Sequence, residues 1–302
     1  MGELSKAVFP DLINAVLQTM AYADVFDFPL TAAEIHRYLT GMRADKNEVE
    51  QVLQERSLIH ARGDYFTLPD REGLVALRRR REKIARRMWP HATKYGRLIA
   101  CLPFVRMVAV TGSLAMNNVD LNPDIDYLIV TARGRLWTVR AMVLVAARFA
   151  AVHGIRLCPN YLISENALVF PNQTLYAAHE LAQMVPIFGL DVYERICQLN
   201  PWKERFLPNA QGLPPVVDQV TVHAITPGFK PLSEWGLRMP PGDWFENWEM
   251  ARKIRKLSRE QSESQESCFA ADYCKGHNLQ HGRGTDRVLS ERLENLSLEV
   301  ME

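Results

Sequence analysis

The first stretch of the chain repeats its apolar residues at helical spacing. Between positions 11 and 23, one helical face carries Leu12, Ala15, Val16, Thr19 and Met20. Thr31 precedes Glu34 by three residues, the spacing of a capping box, which predicts the start of a second helix. Residues 45–59 predict a third helix. Residues 58–69 alternate in polarity around a Gly-Asp pair, which predicts a short hairpin.

The order of these elements, three helices and then a hairpin within residues 1–70, resembles that of a winged-helix domain. In such a domain the helix before the hairpin can enter a DNA major groove. The third helix is acidic on balance, and acidic residues repel the phosphates of DNA. Its charged residues are Asp45, Glu48, Glu50 and Glu55 against Lys46 and Arg56. We therefore favour packing or contact with another protein for this domain, and DNA binding is the alternative.

Residues 71–100 are rich in arginine and predict a basic helical connector. The basic residues are Arg71, Arg78, Arg79, Arg80, Arg81, Lys83, Arg86, Arg87, Lys94 and Arg97. Its apolar residues Leu74, Leu77, Ile84 and Met88 predict the face that packs on a core. Two uses are open: a solvated helix between domains, or a surface that attracts the phosphates of a nucleotide or polynucleotide.

Residues 105–130 predict a strand, a tight turn, a short helix and a second strand. The apolar run "FVRMVAVTGS" ends at Gly112 and Ser113, where a glycine lets backbone amides approach an anion and the serine adds a hydroxyl donor. Asp124 and Asp126 begin the second strand, and their side chains share one face because side chains alternate along a strand. Two neighbouring carboxylates repel each other unless a cation neutralises them, so Mg²⁺ is a natural ligand.

Gly112-Ser113, followed eleven residues after the serine by Asp124-x-Asp126 at the start of an apolar strand, resembles the signature of the DNA polymerase beta-like nucleotidyltransferase superfamily. The resemblance implies a small mixed sheet covered by helices. It also implies that Gly112 and Ser113 bind the phosphates of a nucleoside triphosphate, and that Asp124 and Asp126 hold Mg²⁺ or Mn²⁺. The implied reaction transfers a nucleoside monophosphate to a hydroxyl group.

In members of that superfamily, the next strand supplies a third carboxylate, and this chain departs from them at that position. The corresponding run "CPNYLIS" offers Asn160, whose amide oxygen can ligate a metal but cannot take a proton. Two functions are therefore open. One is a nucleotidyltransferase with an unidentified acceptor, which could be a protein, a small molecule or RNA. The other is a catalytically weak regulator that senses a nucleotide and uses the winged helix as its output.

The predicted fold class is α+β. A nucleotidyltransferase core over residues 101–205 follows the winged helix and the connector, and residues 206–302 predict a helical region with a Pro/Gly-rich linker at 208–243. Within the core, residues 174–189 predict one helix in which His179 is packed and hydrogen-bonded. In the last region Trp244, Phe245 and Trp248 predict a core stripe, with a base-stacking platform as the alternative.

The segment after residue 267 carries several side chains with two candidate roles. Lys275, His277 and Arg283 could contact phosphates of the nucleotide. Zinc could instead be held by Cys268, Cys274, His277 and His281. A structured loop without either role is the default interpretation.

Composition narrows the class of protein. The formal net charge is only +1, so attraction for phosphates must come from local patches. Five cysteines without a Cys-x-x-Cys pair do not predict a disulfide framework, which favours a cytoplasmic protein. The first residues lack the pattern of a signal peptide, and the longest apolar run, near residue 145, is too short to cross a membrane.

Overall fold

A computed structural model describes residues 3–54, 59–121, 123–216, 228–260, 268–275, 284–285 and 287–294. Helices and small sheets are mixed along these residues, so the α+β class is confirmed. The winged-helix and nucleotidyltransferase folds, and the domain boundaries, stay predictions.

The N-terminal region contains three helices and a small antiparallel sheet. The helices are α1 (Glu3–Asp24), α2 (Ala32–Arg37) and α3 (Lys46–Gln54). The strands are β1 (Leu30–Thr31), β2 (His60–Arg62) and β3 (Tyr65–Thr67), arranged in the order β1-β3-β2. The predicted capping box is confirmed, because the Glu34 amide donates to the Thr31 hydroxyl and the Thr31 amide donates to the Glu34 carboxylate. Residues 55–58 of the predicted third helix lie outside the described residues.

The basic segment forms one long helix, α4 (Leu74–Ala100). Ile84 and Met88 are half-buried and pack against the core, as predicted, whereas Leu74 and Leu77 are half-buried without joining it. The buried residues include Val75, Ala85, Trp89, Ala92 and Ile99. Small residues on this side let the helix lie close to the sheet: a Cβ added to Gly96 would stand 2.7 Å from the Ile187 side chain.

Arginines of residues 71–100 form ion pairs with acidic residues of the N-terminal region. Arg78 is 4% exposed, and its guanidinium donates to the carboxylates of Glu34 and Glu82 while it lies 3.6 Å from the centre of the Phe28 ring. Arg71 pairs with Asp24 in the same way, at 2.8 Å. Part of the positive charge of this segment is therefore neutralised by carboxylates of the protein itself.

The main sheet is mixed, as the sequence predicts. Its strands are β4 (Val105–Thr111), β5 (Asp124–Thr131), β6 (Arg156–Ser164), β7 (Val185–Phe188), β8 (Cys268–Phe269) and β9 (Tyr273–Lys275). They lie in the order β7-β4-β5-β6-β9-β8, and β5 and β6 run parallel while the other neighbouring pairs are antiparallel. One face packs against α4 and α6 (Leu136–Val152). The other packs against α7 (Leu175–Gln183) and α8 (Leu190–Leu199).

The prediction of one helix over residues 174–189 was wrong in its second half. The helix ends at Gln183, and Val185–Phe188 form β7, which pairs with β4. Val185 and Ile187 are fully buried, so pairing with the sheet stabilises this run more than a continued helix would. Pro186 is compatible with the strand because β7 is at the edge of the sheet.

The C-terminal region also differs from its prediction. The linker predicted up to residue 243 gives way to α9 (Lys230–Leu237) and α10 (Pro240–Glu260), whose prolines stand in first turns, where a missing amide costs nothing. The region is not only helical, because β8 and β9 extend the main sheet.

The aromatic stripe of α10 is not a core stripe. Trp244 and Trp248 are 67% and 46% exposed. The buried side chains of this helix are acidic instead, and Glu246 accepts hydrogen bonds from the amides of Trp137 and Thr138 at 2.9 and 2.7 Å. These amides lie in the first turn of α6, where the helix itself offers them no carbonyl acceptor. Their hydrogen bonds to Glu246 therefore favour burial of the side of α10 that carries this carboxylate.

None of the helices described is both long and apolar enough to cross a membrane. Four cysteines in these ranges form no disulfide: Cys101, Cys158, Cys197 and Cys274.

Candidate functional site

Asp124 and Asp126 lie on the face of β5 that carries α7. The alternation along the strand sends Ile125 and Tyr127 into the core beneath α4 and α6, and Leu128 into the core beneath α7. The two carboxylates share the side of Leu128, so the sequence predicted their common face correctly. Asp124, at the beginning of the strand, has a side chain that is 47% exposed.

Position 112 requires a glycine because the Asp126 carboxylate occupies the space that a side chain would fill. Its φ is +66°, in the left-handed region, and a Cβ at this position would stand 2.5 Å from Asp126 Oδ2. The Asp126 carboxylate therefore packs directly on the glycine at the end of β4. Ser113 follows in the short helix α5 (Gly112–Ala115) and is exposed. The Gly-Ser turn and the Asp pair, separate in the sequence, form one surface.

Asn160 reaches the same surface through an irregularity in β6. Asp126 pairs with Cys158 and Leu128 pairs with Tyr161, so two residues, Pro159 and Asn160, stand opposite one residue of β5. The Oδ1 atom of Asn160 is buried and has no hydrogen-bond partner among the described residues. A buried amide oxygen without a donor costs free energy, which a bound cation or donor would recover.

The charges around the two aspartates are only partly balanced. The Nε atom of Arg156 lies 2.7 Å from Asp124 Oδ1, but both side chains are about half exposed, and such surface pairs contribute little free energy. Burial, followed by the charge of Asp126 and a hydrogen bond to it, raises the pKa of the Cys158 thiol to about 12. The thiol therefore stays protonated and keeps its hydrogen bond to the Asp126 carboxylate, to which it adds no positive charge.

These residues form one end of a cavity of about 400 Å³. This end is lined by Gly112, Ser113, Asn118, Asp124, Asp126 and Asn160. The rest of the cavity is lined by α7, by Met116 and by the N-terminal region. Ring side chains in this part are Tyr22, Phe26, Phe28, Tyr38, Tyr176 and His179, and the other residues are Thr19, Ala23, Leu30, Met116, Glu180 and Gln183. No lysine or arginine is among the described residues that line it. A polyphosphate in this cavity would therefore need cations from solution.

His179 is packed and hydrogen-bonded, as the sequence predicts. Its ring is 4% exposed, stacks on Tyr22 with 3.9 Å between centroids and an 8° angle, and contacts the Tyr38 ring at 5.5 Å. Gln183 Nε2 lies 3.1 Å from His179 Nδ1. Burial lowers the pKa of His179 from 6.5 to about 3, so the ring is neutral at ordinary pH.

Of the remaining candidate ligands, Lys275 and Cys274 have described side chains, and neither of them lines the cavity. Lys275 lies opposite Tyr161 in the sheet, with its ammonium 5.6 Å from the centre of that ring, and it does not line the cavity. His277, His281 and Arg283 lie outside the described residues. Within the described ranges, three or more His, Cys, Asp or Glu residues do not come together as a metal site. Any metal held at the Asp pair would depend on Asn160 or on the ligand for further oxygens.

The sequence did not reveal that α1, with the loop after it, and α7 line the same cavity. Thr19, Tyr22, Ala23 and Phe26 recur at intervals of three and four residues, and so do Tyr176, His179, Glu180 and Gln183. That spacing identifies two helical faces with polar groups among apolar ones, which was the available signal. It does not say that the two faces meet.

No protein-family model, no curated protein and no solved structure matches this chain.

Proposed function

We propose that the protein is a cytoplasmic, Mg²⁺- or Mn²⁺-dependent nucleotidyltransferase that moves a nucleoside monophosphate from a nucleoside triphosphate to a hydroxyl acceptor. One observation carries the proposal: Gly112, Ser113, Asp124, Asp126 and Asn160 line the same end of one cavity. The cavity volume of about 400 Å³ lies in the range of small-molecule sites.

The donor atoms at this end suit a hard divalent cation. Asp124 and Asp126 offer carboxylate oxygens, and Asn160 offers a buried oxygen that has no partner within the described structure. The described lining holds acidic residues and no lysine or arginine, and His179 is neutral, so the phosphates of a nucleotide need that cation in order to enter. When bound, Mg²⁺ or Mn²⁺ would neutralise phosphate charge at this end of the cavity.

The residues of the chain then have distinct roles. The Ser113 hydroxyl and the turn at Gly112 hold the β- and γ-phosphates, so that the α-phosphorus faces the acceptor. The acceptor oxygen forms a bond to the α-phosphorus as the bond to the bridging oxygen breaks, and pyrophosphate leaves with the electron pair. Asn160 cannot take the proton of the acceptor hydroxyl, so a carboxylate that lines the cavity must take it: Asp124, Asp126 or Glu180.

The test uses each α-labelled nucleoside triphosphate with Mg²⁺ or Mn²⁺, alone and with cell extract. Wild-type protein should place label on a protein, a small molecule or RNA, and the fraction that carries it identifies the acceptor class. Asp126→Asn should remove the label, whereas the matched control Asp191→Asn, at an exposed position on α8, should retain it. Equal labelling by both variants would refute the proposal.

Asn160 favours a second candidate, a nucleotide-sensing regulator with weak or absent catalysis. Residues of α1 and the loops after it line the cavity, so a ligand would contact the N-terminal region directly. In this case the wild type binds a triphosphate without forming product, and Asn160→Asp creates transfer activity. Turnover by the wild type that Asn160→Asp does not increase would exclude this candidate.

A further inference from the structure

Part of the cavity lining, which we call the aromatic end, is formed by the rings of Tyr22, Phe26, Tyr38 and His179. Tyr22 and His179 lie in nearly parallel planes, and the Phe26 ring lies 5.5 Å from that of Tyr22. Phe26 is 37% exposed although it is aromatic and lines the cavity. Such rings attract another π-system.

His179 contributes a polar group to the aromatic end of the cavity. Gln183 donates its amide hydrogen to Nδ1 at 3.1 Å, so the single proton of the neutral ring lies on Nε2. The Nε2 atom is buried and has no partner among the residues described. An unsatisfied buried donor is costly and rare in a folded protein, and it marks a position where a ligand acceptor would be stabilising.

The two ends of the cavity are continuous. The Tyr38 hydroxyl donates to the Met116 sulfur at 3.6 Å, and Met116 directly follows the short helix that carries Gly112 and Ser113. Tyr38 in turn contacts the His179 ring. A ligand with a charged part at the aspartates and a flat part at His179 therefore fits within one enclosure.

We propose that the aromatic end, made by Tyr22, Phe26, Tyr38 and His179, binds the nucleobase of the nucleotide, and that His179 Nε2 donates a hydrogen bond to the base. The inference rests on the proposed function, because it takes the triphosphate to lie at Gly112 and Asp126. A base is flat, uncharged and edged with hydrogen-bond acceptors, and this end of the cavity offers stacking surface and one fixed donor. The burial of His179 keeps that donor neutral at ordinary pH.

The experiment compares dissociation constants for the four Mg·nucleoside triphosphates with that for Mg·inorganic triphosphate, which has no base. Phe26→Ala should weaken nucleotide binding about tenfold, through lost stacking, and leave inorganic triphosphate unchanged. His179→Phe keeps an aromatic ring against Tyr22 but removes the donor, so it should weaken the preferred nucleotide about fivefold and reduce discrimination among bases. The matched controls are Phe149→Ala on α6 and His91→Phe on α4, both exposed.

Three outcomes separate the two proposals. Nucleotides bound more tightly than inorganic triphosphate, with that difference lost in Phe26→Ala and His179→Phe, support the base site. If the wild type binds both ligands equally, or if the variants weaken both ligands equally, the base site is overturned and the phosphate site stands. Wild-type protein that binds neither ligand overturns the nucleotide site, and the base site with it.

Discussion

Burial of His179 should make the protein markedly less stable in mild acid. The pKa of this residue is about 3 in the folded protein, against an ordinary value of 6.5, which applies to the unfolded chain. Below pH 6.5, His179 is therefore protonated in the unfolded chain while it stays neutral in the folded protein. The contribution of neutral His179 to the free energy of unfolding is therefore fully present above pH 6.5, and it is lost as the pH falls toward 3. Between pH 7.5 and pH 5.0, this residue alone should lower the free energy of unfolding by about 2 kcal/mol.

The assay is urea unfolding at both pH values for the wild type and for His179→Phe, which keeps the stacked ring and removes the titrating group. Other ionisable groups are common to both chains, so the difference between the two pH dependences reports His179. The wild type should lose about 2 kcal/mol more than the variant over this interval. Equal losses in the two proteins would refute the burial argument.

Three further substitutions test contacts elsewhere. Arg78→Ala should destabilise the protein by about 3 kcal/mol in urea unfolding, because two partly buried carboxylates lose their partner; a loss below about 1 kcal/mol would contradict this. Gly112→Ala should cost about 1–2 kcal/mol and weaken Mn²⁺ binding, since the new Cβ displaces the Asp126 carboxylate, and unchanged Mn²⁺ affinity would count against the site. Tyr127→Phe should cost about 1 kcal/mol, because its buried hydroxyl donates to the Ala92 carbonyl at 2.6 Å; equal thermal midpoints would argue against that bond.

Local rules predicted those features that a short window of sequence determines. Strand alternation was sufficient to place Asp124 and Asp126 on one face, and the spacing of Thr31 and Glu34 was sufficient for the capping box. Both depend on the geometry of a single element, which neighbouring residues fix.

The features that the sequence did not predict depend on partners far along the chain. A glycine is needed at position 112 because the Asp126 carboxylate of another strand lies against it. The residues of the turn alone do not predict this contact. In α10, the tryptophans suggest a buried side, but Glu246 is buried because it accepts hydrogen bonds from the first turn of a different helix. Periodicity identifies a face and does not identify what covers it.

The contact between Tyr22 and His179 has a consequence for the order in which the protein matures during translation. The ribosome releases α1 long before α7, so the Tyr22 surface must wait, uncovered, until residues near 179 have been synthesised. Closing a chain segment of that length is entropically costly and slow compared with forming either helix. A nascent chain is therefore expected to acquire its helices early and its ligand cavity late.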